Sequence, residues 1–165
     1  MIGQLIYPFD NLRNNTYKKV LADHPNIKIV ATGEGNYDPQ KSLTVMQNLL
    51  QANPKVDVVL SNADQHLVGV EIALKDAGID LSKVYLMGGG LNQITVDAIR
   101  AGQASATLAD HPYLTGVEAM KALHTTLTGG TAPTAINVLK LGTTPLIVDK
   151  AWLDAHPDFK AEWQG

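Results

Sequence analysis

Polar and aromatic side chains recur in the segments that follow short apolar runs of this sequence. Together they offer one fixed cation, several carboxylates and amides, and a phenol ring. This mixture suits a neutral polyhydroxylated ligand, whose hydroxyls need donors and acceptors and whose C–H face packs against a ring. The candidate binding residues are Arg13, Tyr37, Asn62, Asp64, Asn92, Gln93 and Asp110.

Other chemistries have little support in the residue pattern. The five histidines are scattered without metal-ligand spacing, the chain has no cysteine, and Ser61 lacks the flanking glycines of a nucleophile elbow. The glycines at 88–90 precede a predicted helix, but Gln93 stands where a dinucleotide fingerprint has its last glycine. We therefore expect no enzyme activity, no metal and no cofactor, and we interpret Gly90 as a point where the backbone approaches a ligand.

The bulk properties are those of one ordinary globular domain. The chain has 165 residues, of which 45% are hydrophobic, and a formal net charge of −3. No basic block is present, so nucleic acid is not an expected partner. The apolar start over residues 1–9 is short and is interpreted as a strand rather than a signal peptide, so an export signal is expected only on a longer precursor. We expect residues 1–165 to form a single domain.

Hydrophobic periodicity alternates between short apolar runs and longer helical patterns. The predicted strands are residues 2–7, 27–32, 56–60, 84–87, 104–109 and a last one within 136–148. The predicted helices are residues 11–22 (with Val20 and Leu21 facing inward), 39–52, 64–77, 92–101, 113–127 and a helical tail over 150–163. This order predicts an α/β fold with a doubly wound parallel sheet between helical layers, a three-layer α/β/α arrangement of the flavodoxin-like type. Ligands bind such sheets beyond the carboxyl ends of the strands, where the candidate residues stand.

Several spaced blocks resemble ribose-type substrate-binding proteins of ABC transporters, which have the periplasmic-binding-protein fold. The matching segments are NYDP (36–39), VMQNLLQANP (45–54), VVLSNAD (58–64), GVEIALKDAG (69–78), AIRAG (98–102) and ATLADHP (106–112), with Gly116. Members of that family are roughly twice as long and enclose a sugar between two similar lobes. The resemblance implies that this chain corresponds to the C-terminal lobe and that its function is non-catalytic sugar or polyol binding.

The resemblance also implies roles for individual residues. Arg13 matches an arginine that donates to sugar hydroxyls, Tyr37 an aromatic that packs on the sugar ring, and Asp110 a polar side chain that reaches the ligand from the hinge. The sequence Asn62-Ala63-Asp64 departs from the family's Asn-Asp pair, which moves the ligand amide to Asn62 or removes it. The family's next ligand carboxylate is replaced within the glycines at 88–90, and both departures argue against ribose itself.

Simpler interpretations stay open for each residue. Arg13 is expected either to bind ligand or to be solvated or salt-bridged in the first turn of a helix, and Tyr37 either to contact ligand or to pack over a helix end. Asp64 is favoured as a helix N-cap over a ligand contact, and Asp110 fits a turn or a cap as well as a site. Asn62 is expected to contact ligand.

The expected partners follow from the implied half-length architecture. They are a sugar or polyol ligand, an N-terminal lobe of the same protein or a second copy of the chain in a dimer, and a membrane permease in a full-length, periplasmic context. Two alternative functions are the effector domain of a lactose-repressor-type regulator without its DNA-binding segment, and a small flavodoxin-like protein.

Overall fold

The computed structural model of the chain describes residues 2–3 and 5–165. The strands are β1 (Ile2–Gly3), β2 (Gly33–Glu34), β3 (Val58–Leu60), β4 (Tyr85–Gly89), β5 (Ala106–Leu108) and β6 (Ile147–Asp149). The helices are α1 (Pro8–Ala22), α2 (Pro39–Ala52), α3 (Asp64–Asp76), α4 (Gln93–Arg100), α5 (Pro112–Leu127) and α6 (Lys150–Ala155), with 3-10 turns at Leu81–Lys83 and Val138–Lys140. Within these ranges no helix combines the length and apolarity that a bilayer crossing requires.

The main sheet has the strand order β3-β4-β5-β6. Strands β3, β4 and β5 are parallel, and the helices between them carry the chain back to start each next strand. The predicted α/β class with a parallel-dominated open sheet is therefore confirmed. Two details differ from a purely parallel sheet: β6 runs antiparallel to β5, and β1 pairs with β2 in a separate two-stranded sheet.

The hydrophobic core lies where helices cover the main sheet. Helix α3 packs against α2 and β4, and α4 packs against α6 and β5. Helix α2 has the predicted bounds because Pro39 suits its first turn and the Asp38 carboxylate accepts the Lys41 N–H at 2.6 Å. The core residues include Met46, Val59, Leu67, Val70, Leu74, Leu86, Val96, Ile99, Val148 and Leu153.

The predicted strands in the N-terminal third are mostly absent. Residues 5–7 form a turn, and residues 27–32 lie outside any strand with Ile27 and Val30 about half exposed. Position 4 of the first predicted strand lies outside the described residues. A strand needs a partner for its backbone groups, and the two-residue β1 pairs only with residues 33–34. The inward orientation of Val20 is also wrong, because that side chain is 52% exposed.

Several boundaries and caps also differ from the prediction. Helix α1 begins at Pro8, three residues earlier, since proline is favoured at the first helical position. Asp64 is not an N-cap: Ala63 occupies that position, and the Asp64 carboxylate bonds elsewhere. The predicted helical tail ends at Ala155, and the last strand is 147–149 at the edge of the predicted range.

Candidate functional site

Residues from six segments of the chain meet in a hollow of about 200 Å³ beyond the carboxyl ends of β3, β4 and β5. Five of the eight candidate residues that the sequence analysis names line it: Arg13, Tyr37, Asn62, Gly90 and Asp110. The other lining residues are Phe9, Ala63, Gln65, Gly89 and Trp163. Larger surface hollows exist, but this one lies at the edge where parallel sheets bind ligands.

Arg13 reaches the hollow from the second turn of α1. Its Nη1 atom donates to the Asn62 carbonyl oxygen at 2.6 Å, and its guanidinium carbon lies 4.1 Å from the Phe9 ring centroid. The bond to Asn62 ties α1 to the segment after β3, and the ring supports the guanidinium plane. Because a guanidinium carries five N–H groups, donors are left for ligand oxygens.

Asn62 follows β3 and is 2% exposed. Its Nδ2 donates to the Asp10 carbonyl at 3.2 Å, while its Oδ1 is buried and has no hydrogen-bond partner among the described residues. A buried acceptor without a partner is destabilising, by about 1–3 kcal/mol. Asn62 lines the hollow, and its side chain ties the segment after β3 to α1.

Tyr37 presents its ring from a left-handed backbone conformation. Its φ is +56°, following Asn36 at +53°, a region that non-glycine residues occupy at a cost of about 1–3 kcal/mol. The phenol donates to the Asp10 carboxylate at 2.9 Å, and the backbone N–H donates to Nε2 of His66 at 2.8 Å. Burial and the hydrogen bond to Asp10 raise the pKa of Tyr37 to about 12. The phenol is therefore a neutral, oriented group.

His66 was not predicted as part of the site. It is fully buried on α3, its ring centroid lies 5.2 Å from that of Tyr37, and its Nδ1 lies 3.0 Å from Ser61 Oγ. Since Nε2 accepts from Tyr37, the proton belongs on Nδ1, which donates to Ser61. Burial lowers the pKa of His66 to about 4, although the Asp10 carboxylate acts in the opposite direction. Only its position two residues after Asp64 hinted at a role in the sequence.

Asp64 lies beneath the hollow rather than among its lining residues. Its Oδ2 accepts the Asn92 N–H at 2.9 Å, and its Oδ1 accepts from Thr107 Oγ1 at 2.7 Å. Burial raises the pKa of Asp64, and these hydrogen bonds oppose the increase. Gly88 is required here, because a Cβ at that position would overlap with Oδ1 of Asp64. Asp64 thus fixes the β4–α4 turn to β5, which supports the floor of the hollow.

The remaining predicted residues have local roles. Asn92 is the N-cap of α4 and accepts the Thr95 N–H at 2.8 Å. Gln93 bonds to the C-terminal segment through its side chain. Asp110 is exposed at the rim, and its Oδ1 accepts the His111 N–H at 2.9 Å. His111, not Asp110, is the N-cap of α5, so the ligand contact of Asp110 stays a prediction.

The site lacks the features of a metal centre. In the part of the chain that the structure describes, no cluster of three or more histidine, aspartate or glutamate residues could hold a metal ion. The hollow is lined by the guanidinium of Arg13, the oriented phenol of Tyr37, the amide residue Asn62 and the exposed carboxylate of Asp110. Groups of these types are the ones that bind small neutral polar molecules in proteins.

The chain belongs to the periplasmic binding protein family: the model of the periplasmic binding protein domain matches residues 1–131. Its fold is shared with solved structures at low identity. An ABC transporter periplasmic solute binding protein from Actinobacillus succinogenes with bound D-allose superimposes with a TM-score of 0.81 at 23% identity, covering 93% of this chain and 52% of that one. A solute binding protein from Bacillus halodurans with bound myo-inositol gives 0.81 at 20% identity, covering 95% and 53%.

Among curated relatives, the ribose import binding protein of Bacillus subtilis is 31% identical over 118 residues, which are 71% of this chain and 38% of that protein. The D-allose-binding periplasmic protein of Escherichia coli is 30% identical over 109 residues, 66% of this chain and 35% of that protein. The chain thus spans about half of the structural relatives and matches little more than a third of these curated ones. The predicted family resemblance is confirmed.

Proposed function

We propose that this chain is a non-catalytic binding lobe for a sugar or polyol, equivalent to the C-terminal lobe of an ABC-transporter substrate-binding protein. The observation that carries the proposal is the convergence of Arg13, Tyr37, Asn62, Gly90 and Asp110 on one hollow. The hollow is lined by donors, acceptors and a ring, which are the groups that a polyhydroxylated ligand requires. Asp64 acts beneath the ligand, as a support of the floor.

The relatives favour transport over the other two interpretations. The curated proteins named above are a ribose import binding protein and a D-allose-binding periplasmic protein. This supports a periplasmic location and a permease partner for the full-length protein. It gives no comparable support to a repressor-type effector domain or a flavodoxin-like carrier.

Helix α5 supports the proposal that a second lobe, or a second copy of the chain, covers part of this domain. None of its residues is buried, and its apolar side chains include Tyr113 at 67%, Met120 at 63% and Leu127 at 76% exposure. An exposed apolar stripe of this kind marks a contact surface. We propose that residues 1–165 form a single domain that binds the N-terminal lobe of the same protein, or self-associates, through α5.

Calorimetric titration against pentoses, hexoses, cyclitols and open-chain polyols tests the binding function. Affinity is expected to be weak in the isolated chain because only one wall of a cleft supplies hydrogen bonds. Arg13→Met keeps the stem packed near Phe9 but removes the donor fork, and we expect it to reduce affinity at least about tenfold. Lys19→Met on the same helix is the matched control for charge, since Lys19 does not line the hollow. Equal affinity in both variants, or no binding to any compound even with an N-terminal lobe added, would refute the proposal.

Light scattering tests the proposed α5 surface separately. The wild-type chain is expected to form dimers or to bind an added N-terminal lobe, and Met120→Glu is expected to weaken either association. The matched control is Ala151→Glu on α6, at an exposed position away from α5. A strict monomer without affinity for the added lobe would contradict the α5 proposal, but it would not bear on the proposed sugar site.

A further inference from the structure

Trp163 lines the hollow although it lies beyond residues 1–131, the region that the family domain covers. It belongs to the C-terminal segment, residues 156–165, which leaves α6 and crosses the start of α4. Its indole Nε1–H donates to the Gly90 carbonyl oxygen at 2.8 Å. The polar edge of the indole is therefore already paired, and what the side chain offers to the hollow is its apolar ring.

Gly90 makes room for this ring. Its φ of +138° lies in a region that side chains rarely adopt, and a Cβ there would stand 3.0 Å from Trp163 Cζ2. Both the backbone angle and the contact require glycine. At Gly90 the backbone thus approaches Trp163, a residue of the same chain.

The start of α4 fixes the backbone of the C-terminal segment. Gln93 N–H donates to the Trp163 carbonyl at 2.9 Å, and Ile94 N–H donates to the Gln164 carbonyl at 3.4 Å. The Gln93 side chain in turn accepts the Ala161 N–H at 2.9 Å. The first amides of a helix lack intrahelical acceptors, so these carbonyls satisfy donors that would otherwise need water.

Charged side chains hold the segment at both ends. The Arg100 guanidinium donates to the carbonyls of Pro157 at 3.2 Å and Phe159 at 2.9 Å. Glu162 accepts the Tyr113 N–H at the start of α5 at 2.9 Å and lies 3.1 Å from Nδ1 of His111. With backbone and side-chain anchors on both sides, the Trp163 ring has a defined orientation before any ligand enters.

We propose that Trp163 is a ligand-contacting residue, supplied by the C-terminal segment, that selects for a ring-form sugar or cyclitol over an open-chain polyol. This inference rests on the proposed sugar-binding function. A fixed, flat indole surface matches the C–H face of a rigid ring, whereas an open chain loses conformational freedom to lie flat on it. The hollow then combines two aromatic surfaces, Tyr37 and Trp163, with the donors of Arg13.

Fluorescence can isolate this contact because the chain has two tryptophans. The other, Trp152, stacks on His156 with ring centroids 4.1 Å apart and does not line the hollow. The emission of the Trp152→Phe variant therefore comes from Trp163 alone, and that of Trp163→Phe comes from Trp152 alone. Titrated with cyclic sugars and cyclitols, Trp152→Phe is expected to change its emission and Trp163→Phe is expected not to.

Calorimetry on further variants tests the contribution to affinity. Trp163→Ala should weaken binding of the best cyclic ligand at least about fivefold, and Trp163→Phe should recover part of that loss because it keeps an aromatic surface. Circular dichroism and the melting temperature confirm that each variant is folded. Unchanged affinity in a folded Trp163→Ala variant, or equal affinity of wild type for a cyclitol and an open-chain polyol, overturns this inference while the proposed function stands.

A measurement without ligand keeps the two proposals separate. The indole N–H of Trp163 should exchange slowly with solvent because it donates to Gly90, and the two single-tryptophan variants assign its NMR signal. Rapid exchange of this N–H in the folded chain would contradict the placement of the C-terminal segment, whichever ligand the protein binds. If that proton is protected but no sugar, cyclitol or polyol binds the wild type, the proposed function fails, and the ligand contact fails with it.

Discussion

The buried His66 makes the stability of the fold depend on pH in a defined direction. In the folded chain burial disfavours the charged ring and lowers the pKa of His66 to about 4, against 6.5 in the unfolded chain. The neutral ring also matches the geometry, because Nε2 accepts from the Tyr37 N–H. Below pH 6.5 the unfolded chain takes up a proton that the folded chain refuses. The contribution of His66 to stability is therefore fully present above pH 6.5 and is lost as the pH falls toward 4.

The pKa gap sets the size of this effect. At 1.36 kcal/mol for each pH unit, the interval from 6.5 to about 4 corresponds to about 3 kcal/mol, of which about 2 kcal/mol is lost by pH 5. Asp64 and Glu71 act in the opposite sense, because burial raises the pKa of both carboxyls. They remain in a His66→Gln variant, whose side-chain oxygen can still accept the Tyr37 N–H.

Urea denaturation at pH 7.5, 6 and 5 measures the effect as a difference between wild type and His66→Gln. We expect the wild type to lose about 2 kcal/mol more than the variant between pH 7.5 and 5. A difference that does not change with pH, or an NMR titration giving His66 a pKa near 6.5, would refute the assigned tautomer and the neutral, buried state.

Three further predictions concern the floor and walls of the hollow. Gly88→Ala should destabilise the fold by about 2–4 kcal/mol in urea melts, because its Cβ would overlap with the buried Asp64 carboxylate. The control is Gly116→Ala, where a Cβ meets nothing within 4 Å and the change should be neutral or stabilising by up to about 1 kcal/mol. Similar values for the two variants would contradict this prediction. Asp64→Ala should cost about 2–4 kcal/mol, because it removes the acceptor of the Asn92 N–H and of the Thr107 hydroxyl. Asp97→Ala, at an exposed position of α4, is the control and should cost less. A mild effect at Asp64 would show that the carboxylate does not hold the floor. Tyr37→Phe should cost about 1 kcal/mol and keep ring contacts with ligand, so a variant as stable as wild type would argue against the phenol bond to Asp10.

Local patterns in the sequence were sufficient for the class of fold and for most of the site. Apolar runs alternating with helical periodicity predicted the parallel strands β3 to β5 and the bounds of α2. Because the carboxyl ends of parallel strands share one edge, residues as distant as Arg13 and Asp110 could be expected to meet, and both line the hollow. These predictions depend only on the spacing of residue types, which can be read directly from the sequence.

Only the tertiary structure decided the features that depend on which groups become partners. An apolar run at residues 27–32 could not reveal that it lacks a ladder partner, nor could Asp64 reveal that its carboxylate bonds to Asn92 and Thr107 instead of capping α3. His66 and Trp163 enter the site through bonds to residues 29 and 73 positions away. Backbone groups and buried side chains pair with whatever packing brings near, and local periodicity carries no information about that choice.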